Sequence, residues 1–202
     1  MNLFKDTSNQ DTHMKKRCGW VTDDPVYLEY HDTEWGVPVH DDRLLFEFLI
    51  LEGAQAGLSW ITVLKKRENY RKAFDNFDPA KIAKYNKNKT NALLLNPGII
   101  RNRLKIESAI KNAGAILEIK KSFKSFETFI WQFVNHKPIL NKWKNDTDVP
   151  TTSPEAEEMS RTLKKMGFSF VGPTICYSFM QAVGMVNDHV TSCFRHKKIK
   201  KQ

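Results

Sequence analysis

One signal constrains this chain more than any other, and it occurs three times. A helix-capping residue stands directly before proline at Asp24-Pro25, Asp78-Pro79 and Ser153-Pro154. The capping side chain accepts from an N–H that the first helical turn would leave orphaned, and proline is harmless at the first helical position, where its missing N–H would go unpaired. The segments after and between these pairs keep helical spacing, whereas the period-two alternation of strands is almost absent. DPVYLEYH opens a helix of about two turns, and DDRLLFEFLILEGAQ puts Leu45, Phe48 and Leu49 on one face. SWITVLKKRENYRKAF, FETFIWQFV (126–134) and SPEAEEMSRTLKKMGF read as further helices, the last stopped by Gly167. GPTICYSFMQAVGMV (172–186) is apolar nearly all round, as a buried helix is. HKPILNKWKNDTDVPT (136–151) reads as loop, and no internal repeat occurs. The expected fold is all-α: a helical region over 17–195, a loose extension at 1–16 and a basic tail at 196–202.

Hydrophobic residues make up 41% of the 202, with 13 Phe and 5 Trp, enough to bury a core. A net charge of +9 favours a polyanionic partner. Three cysteines are too few and too odd in number for a disulfide framework and suit a reducing compartment. No apolar run reaches the roughly 18–20 residues that span a bilayer, and the charged first residues lack the apolar stretch of a signal peptide. These features lead us to expect a soluble, cytoplasmic monomer with no membrane partner.

NDHVTSC (187–193) places His189 and Cys193 four residues apart, which on a helix is one face. Cys18, in RCGW, precedes His31 with twelve residues between them. Two sulfurs and two imidazoles make a standard tetrahedral zinc set, and four protein ligands leave no open position for catalysis. Spacing alone leaves open the alternative of two unrelated Cys/His pairs. Cys176, inside an apolar helix, reads as core.

Glu52 lies three, four and seven residues after Leu49, Phe48 and Leu45, and so falls on the buried stripe. A buried carboxylate needs a partner or a cavity. The plain alternative is a pair with a nearby Arg or Lys. Tyr27, Tyr30 and His31 share one helix face, with Trp20, Trp35 and Trp60 around them in sequence. An aromatic cluster is ordinarily core, but with an acidic acceptor beside it the set suits a nucleobase stacked between rings and read on its edge. Further on, LLLNPGIIRNRLKI joins two helices through Asn96-Pro97-Gly98, freeing N–H groups at the second helix's positive end. Arg101, Arg103 and Lys105 add charge there, Lys105 reading most simply as a phosphate contact. The turn is a partial helix-hairpin-helix motif, with Ile100 where a second glycine usually stands.

RCGW, DPVYLEYHDTEWGVP, LFEFLILEGAQAGLSWITVLKKRENYR, GIIRNRLKI, FVNHKP and GFSFVGPTICYSFMQAVGMVNDHV together resemble the type I 3-methyladenine DNA glycosylases of the helix-hairpin-helix superfamily. The likeness runs from about Arg17 to Cys193. It implies one structural Zn2+ on Cys18, His31, His189 and Cys193, tying a second helical lobe together from the chain ends. It implies that Glu52 and Tyr30 hydrogen-bond a flipped base, that Trp60 stacks on it, and that Trp20 and Tyr27 shape the pocket. Gln55, Gly57 and Leu58 would meet the lesion in double-stranded DNA, and Gly98, Ile99 and Arg101 would grip the backbone. The implied reaction is hydrolysis of the N-glycosidic bond of 3-methyladenine in alkylated DNA, leaving an abasic site without strand cleavage. The aspartate many superfamily members place after the hairpin is missing, since no Asp occurs between Asp78 and Asp146. Two further departures are Ala54, where relatives often have glutamine, and the first sixteen residues.

Overall fold

The computed structural model describes residues 15–199. Residues 1–14 of the expected extension and 200–202 of the expected tail lie outside the described residues. Each Asx/Ser-Pro pair starts a helix as its chemistry requires. Asp24 accepts from Val26 N–H to open α1 (Pro25–Glu29), Asp78 accepts from Ala80 N–H to open α5 (Pro79–Ile82), and Ser153 accepts from Ala156 N–H to open α9 (Pro154–Lys165). Between α1 and α5 lie α2 (Asp42–Gln55), α3 (Trp60–Leu64) and α4 (Arg67–Ala73). Between α5 and α9 run α6 (Lys87–Leu95), α7 (Arg103–Ser122) and α8 (Phe126–Trp131). The chain then forms α10 (Pro173–Ala182) and α11 (Phe194–Ile199).

Four local expectations change. The one helix read over SWITVLKKRENYRKAF breaks at a turn, residues 65–66, into α3 and α4. The 172–186 helix stops at Ala182, and Val186–Asn187 becomes a short strand, β2, pairing in parallel with β1 (Ile139–Leu140) inside the supposed loop. Two-residue strands carry too little alternation to be read from sequence. The described part of the expected tail is the helix α11, whose Ile199 is buried. After α1 the chain widens into a π-helical turn, Tyr30–Glu34, a form that concentrates at functional sites.

At the centre is α2. Its residues 45–54 are all buried, because α3, α7, α8 and α10 pack around it. Two glutamates, Glu47 and Glu52, are inside that buried run. The segment after the π-turn is laid along the end of α10: Gly36 N–H donates to Gln181 O (3.1 Å) and Val39 N–H to Val183 O (3.0 Å). Gly184 permits the approach. Its φ is +70°, and a Cβ there would lie 2.3 Å from the carbonyl carbon of Val37, so no side chain fits. This crossing brings Tyr30 and His31 beside residues 186–193.

Candidate active site and metal centre

The four Cys/His side chains converge in buried space, their ligand atoms all within 4.8 Å of one another. Cys18 Sγ and Cys193 Sγ each lie 3.5 Å from His189 Nδ1, and Cys193 Sγ lies 3.5 Å from His31 Nε2. A tetrahedral zinc with sulfur at ~2.3 Å and nitrogen at ~2.0–2.1 Å has nitrogen–sulfur edges of about 3.5 Å. The outer ring nitrogens are held too: His31 Nδ1 pairs with Asp32 Oδ1 (2.8 Å), itself gripped by Arg17, and His189 Nε2 meets Trp35 O (3.0 Å). Such outward partners orient metal-bound imidazoles. The neighbouring Cys193 sulfur and burial raise Cys18, while Cys18, His189 and His31 together hold the Cys193 thiol low. Burial also lowers His189, favouring the neutral ring a metal requires. This set could bind a metal ion. The pair NDHVTSC is brought together by a route other than the helical one: His189 and Cys193 lie in the turn between β2 and α11, closed by Cys193 N–H to Val190 O (2.8 Å).

Trp20 links this cluster to a cavity. Its ring is 5.4 Å from His31 on one side and 5.4 Å from Tyr27 on the other, both edge-on. The cavity, of about 390 Å³, is lined by Trp20, Tyr27, Tyr30, Trp35, Glu52, Gln55, Trp60, Asp146, Val149, Ser178, Gln181 and Asp188. Tyr30 and Trp60 stand 5.6 Å apart, tilted at 55°, and Ile61 N–H pins the Tyr27 hydroxyl (3.2 Å). The indole N–H groups of Trp20 and Trp60 are buried without an acceptor among the described residues. Burial, then the charges of Glu52 and Glu34, drives the Tyr30 hydroxyl well above its usual range. Among the described residues, three carboxylates line the cavity and no lysine or arginine does, in a chain of net charge +9.

The carboxylates differ. Asp188 is saturated: Asn141 Nδ2 (2.7 Å) and Trp143 Nε1 (2.8 Å) donate to Oδ1, and Tyr177 OH (2.7 Å) and Gln181 Nε2 (2.8 Å) to Oδ2. Asp146, at the rim, accepts from Gly19 N–H (2.9 Å). Glu52 is 4% exposed and has no hydrogen-bond partner among the described residues, and burial pushes it up to about 8. The Arg/Lys pair considered for it exists one turn and a half earlier. Glu47 takes Arg67, together with Arg71 at 2.7–3.1 Å, and Arg67 also reaches Glu34 (2.6 Å) and covers the Phe48 ring.

Beyond the cavity, Leu58 is 39% exposed on a turn made possible by Gly57 at φ +78°. The hairpin spends some N–H groups internally: Asn96 Oδ1 takes Gly98 N–H (2.8 Å) and the Tyr70 hydroxyl takes Ile100 N–H (3.1 Å). Arg101 N–H finds no acceptor among the described residues, and the α7 N-terminus begins two residues later. Ile99 has its side chain in the core, so only its main chain can face a ligand. Lys105 turns inward to two main-chain carbonyls.

Trp20, Tyr27, Tyr30, Glu52, Gln55 and Trp60, singled out from sequence, thus share one cavity. The reading had Trp35 in its aromatic cluster without giving it a role, and missed Asp146, Val149, Ser178, Gln181 and Asp188. Asp188 carried one usable signal, its place beside His189, but two of its four donors, Asn141 and Trp143, come from a distant loop.

Residues 20–196 match the methyladenine glycosylase family model. DNA-3-methyladenine glycosylase 1 of Escherichia coli is 53% identical over 178 residues, covering 88% of this chain and 95% of that one. A crystal structure of 3-methyladenine DNA glycosylase I superposes with a TM-score of 0.87 at 54% identity, covering 89% of this chain and 98% of that one. A tyrosine variant of 3-methyladenine DNA glycosylase I, solved in complex with 3-methyladenine, matches with a TM-score of 0.86 at 39% identity over 88% of this chain and 96% of its own. The acidic, aromatic-walled cavity, the Cys/His cluster and these likenesses point the same way: the chain belongs to the methyladenine glycosylase family.

Proposed function

We propose that this chain is a DNA-3-methyladenine glycosylase acting in base-excision repair. The observation that carries this is Glu52, a buried carboxylate left without a partner in an aromatic cavity that contains acids and no cation. Methylation at N3 gives adenine a fixed positive charge and makes it a good leaving group. A cation entering the cavity supplies the partner that Glu52 lacks, so the carboxylate ionises against it. Extrusion costs a few kcal/mol, less for a damaged base. Trp60 stacks on the flipped ring, Tyr30 and Glu52 hydrogen-bond its edge, and Trp20 and Tyr27 close the walls. The N-glycosidic bond breaks with its electron pair leaving on the base. Water adds at the sugar carbon and loses a proton, giving an abasic site without strand cleavage.

The Gln55–Leu58 stretch meets the lesion in the double-stranded DNA, with Gly57 and Leu58 filling the gap left by the flipped nucleotide. Gly98, Ile99 through its main chain, and Arg101 hold phosphate at the start of α7. Cys18, His31, His189 and Cys193 hold one structural Zn2+, which joins the chain ends and so fixes Tyr30 beside His31. The enzyme works as a cytoplasmic monomer.

The test is base release from methylated duplex DNA by protein shown to be folded, with its zinc counted by elemental analysis. Free 3-methyladenine with 7-methylguanine retained, and one zinc per chain, is expected. A folded, metal-loaded protein that binds such DNA and frees no base would make it a damage binder.

A further inference from the structure

Lys105 stands in the first turn of α7, which carries Arg103 and Lys105 and no acid. Cations there oppose the positive end of their own helix; Arg103 meets Glu107 one turn on, whereas Lys105 finds its partners outside α7. Arg103 is exposed, meeting Glu107 (3.6 Å) and Asn91 Oδ1 (3.4 Å) at the surface, and Arg101 just before the helix is exposed as well, so both lie where an external polyanion can reach them. Lys105 is not. Its side chain is partly buried, and Nζ donates to Ala54 O and Ala56 O at 2.7 Å each.

Those carbonyls are at the C-terminal end of α2, where a helix has unpaired C=O groups and a negative pole. The same last turn carries Glu52. Immediately beyond, Ala56 leaves helical geometry and Gly57 takes φ +78°, with Leu58 N–H returning to Gln55 O (2.7 Å). Lys105 therefore bridges two parts of the site that are about fifty residues apart in sequence: the hairpin helix and the turn that begins at Gln55. Desolvation at this position lowers the ammonium's pKa, as the loss of water around it requires. Two of its three donors are engaged by the protein's own main chain.

We infer that Lys105 is a positioning residue that clasps the Gln55–Leu58 turn and the Glu52 end of α2 to the hairpin, and is not a phosphate contact. The inference rests on the glycosylase reading for its effect on base release, and on geometry alone for the absence of a phosphate contact.

The experiment compares wild type with Lys105→Met, which keeps side-chain length without charge, and Lys105→Arg, which keeps charge but puts a longer, planar head group where the compact ammonium sits between the two carbonyls. Affinity for undamaged duplex is measured against salt. Release of 3-methyladenine is measured in single turnover with protein in excess at saturation. For Lys105→Met the salt slope should stay at the wild-type value, while saturated release falls by about tenfold or more, since a small misplacement of a catalytic group is costly. Lys105→Arg should also slow release with the slope unchanged. A merely structural lysine would lower stability but leave the saturated rate of the folded fraction intact, and that result overturns the inference. A slope reduced by about one in Lys105→Met, as for a lost phosphate contact, with Lys105→Arg behaving as wild type, overturns it as well. If Lys105→Met does not fold, the Lys105→Arg release rate decides. A wild type that releases nothing would defeat the glycosylase reading, and the slope would still judge the phosphate contact.

Discussion

Glu47 and Glu52 lie five residues apart on the same helix and are equally buried, at 5% and 4% exposure. Glu47 is surrounded by Arg67 and Arg71, with Arg67 also held by Glu34. Glu52 faces indole and phenol rings and, among the described residues, no cation. One end of α2 thus meets the cost of burying charge inside the protein, and the other end leaves it unmet. The difference separates a carboxylate that holds α4 to the core from one left open to the cavity. The Cys/His cluster sits between the two cases, because its donors point at one another but its geometry suits an ion.

The same substitution at the two positions should act in opposite directions. Glu47→Gln leaves Arg67, 7% exposed, beside a weaker acceptor, and should destabilise the fold by about 3–5 kcal/mol. Denaturant melts would read it, with base release per folded molecule unchanged. A near-neutral effect would mean that the arginines find other acceptors and that the contrast is false.

Glu52→Gln should stabilise the free protein, in a pH-dependent way. Burial raises Glu52 from 4.5 to about 8, so between those values the native state holds a proton that the unfolded chain releases. Rising pH through that window therefore costs the wild type stability, reaching a plateau above it. The variant's advantage should be absent below pH about 4.5, grow across the window, and reach roughly 2–4 kcal/mol at pH about 8, at 1.36 kcal/mol per unit less some screening by cavity water. An advantage independent of pH would show that Glu52 does not titrate in this range.

How much of this contrast the sequence disclosed depends on the range of each interaction. Helix starts at Asp24, Asp78 and Ser153 were legible because cap and proline act within one turn. Glu52 was found by its place on a stripe, yet the stripe was the wrong reason: Phe46, Glu47, Ile50 and Leu51 are buried too, so α2 has no solvent face along that run. Glu47 went unnoticed because α4, which supplies its partners, meets it only in the fold. His189 and Cys193 were paired correctly from a spacing that suits a helix, although a turn delivers them. Lys105 looked like surface charge because nothing local shows that the α2 carbonyls lie within its reach. Asp188 illustrates the limit, since its donors come from two segments that only the fold brings together, the loop carrying Asn141 and Trp143 and the helix α10 carrying Tyr177 and Gln181.

The most direct test of the central claim, that unpaired Glu52 is the counter-charge for a cationic base, is kcat/KM for 3-methyladenine release against pH, in wild type and Glu52→Gln. The substrate's charge is fixed, so the profile reports ionisation of the free enzyme. Wild type should rise about tenfold per unit toward a plateau above about pH 8, matching Glu52, while Glu52→Gln should be flat and about a hundredfold lower at the plateau. A wild-type profile that is flat from pH 6 to 9, or a variant with the same rising limb, would contradict the account.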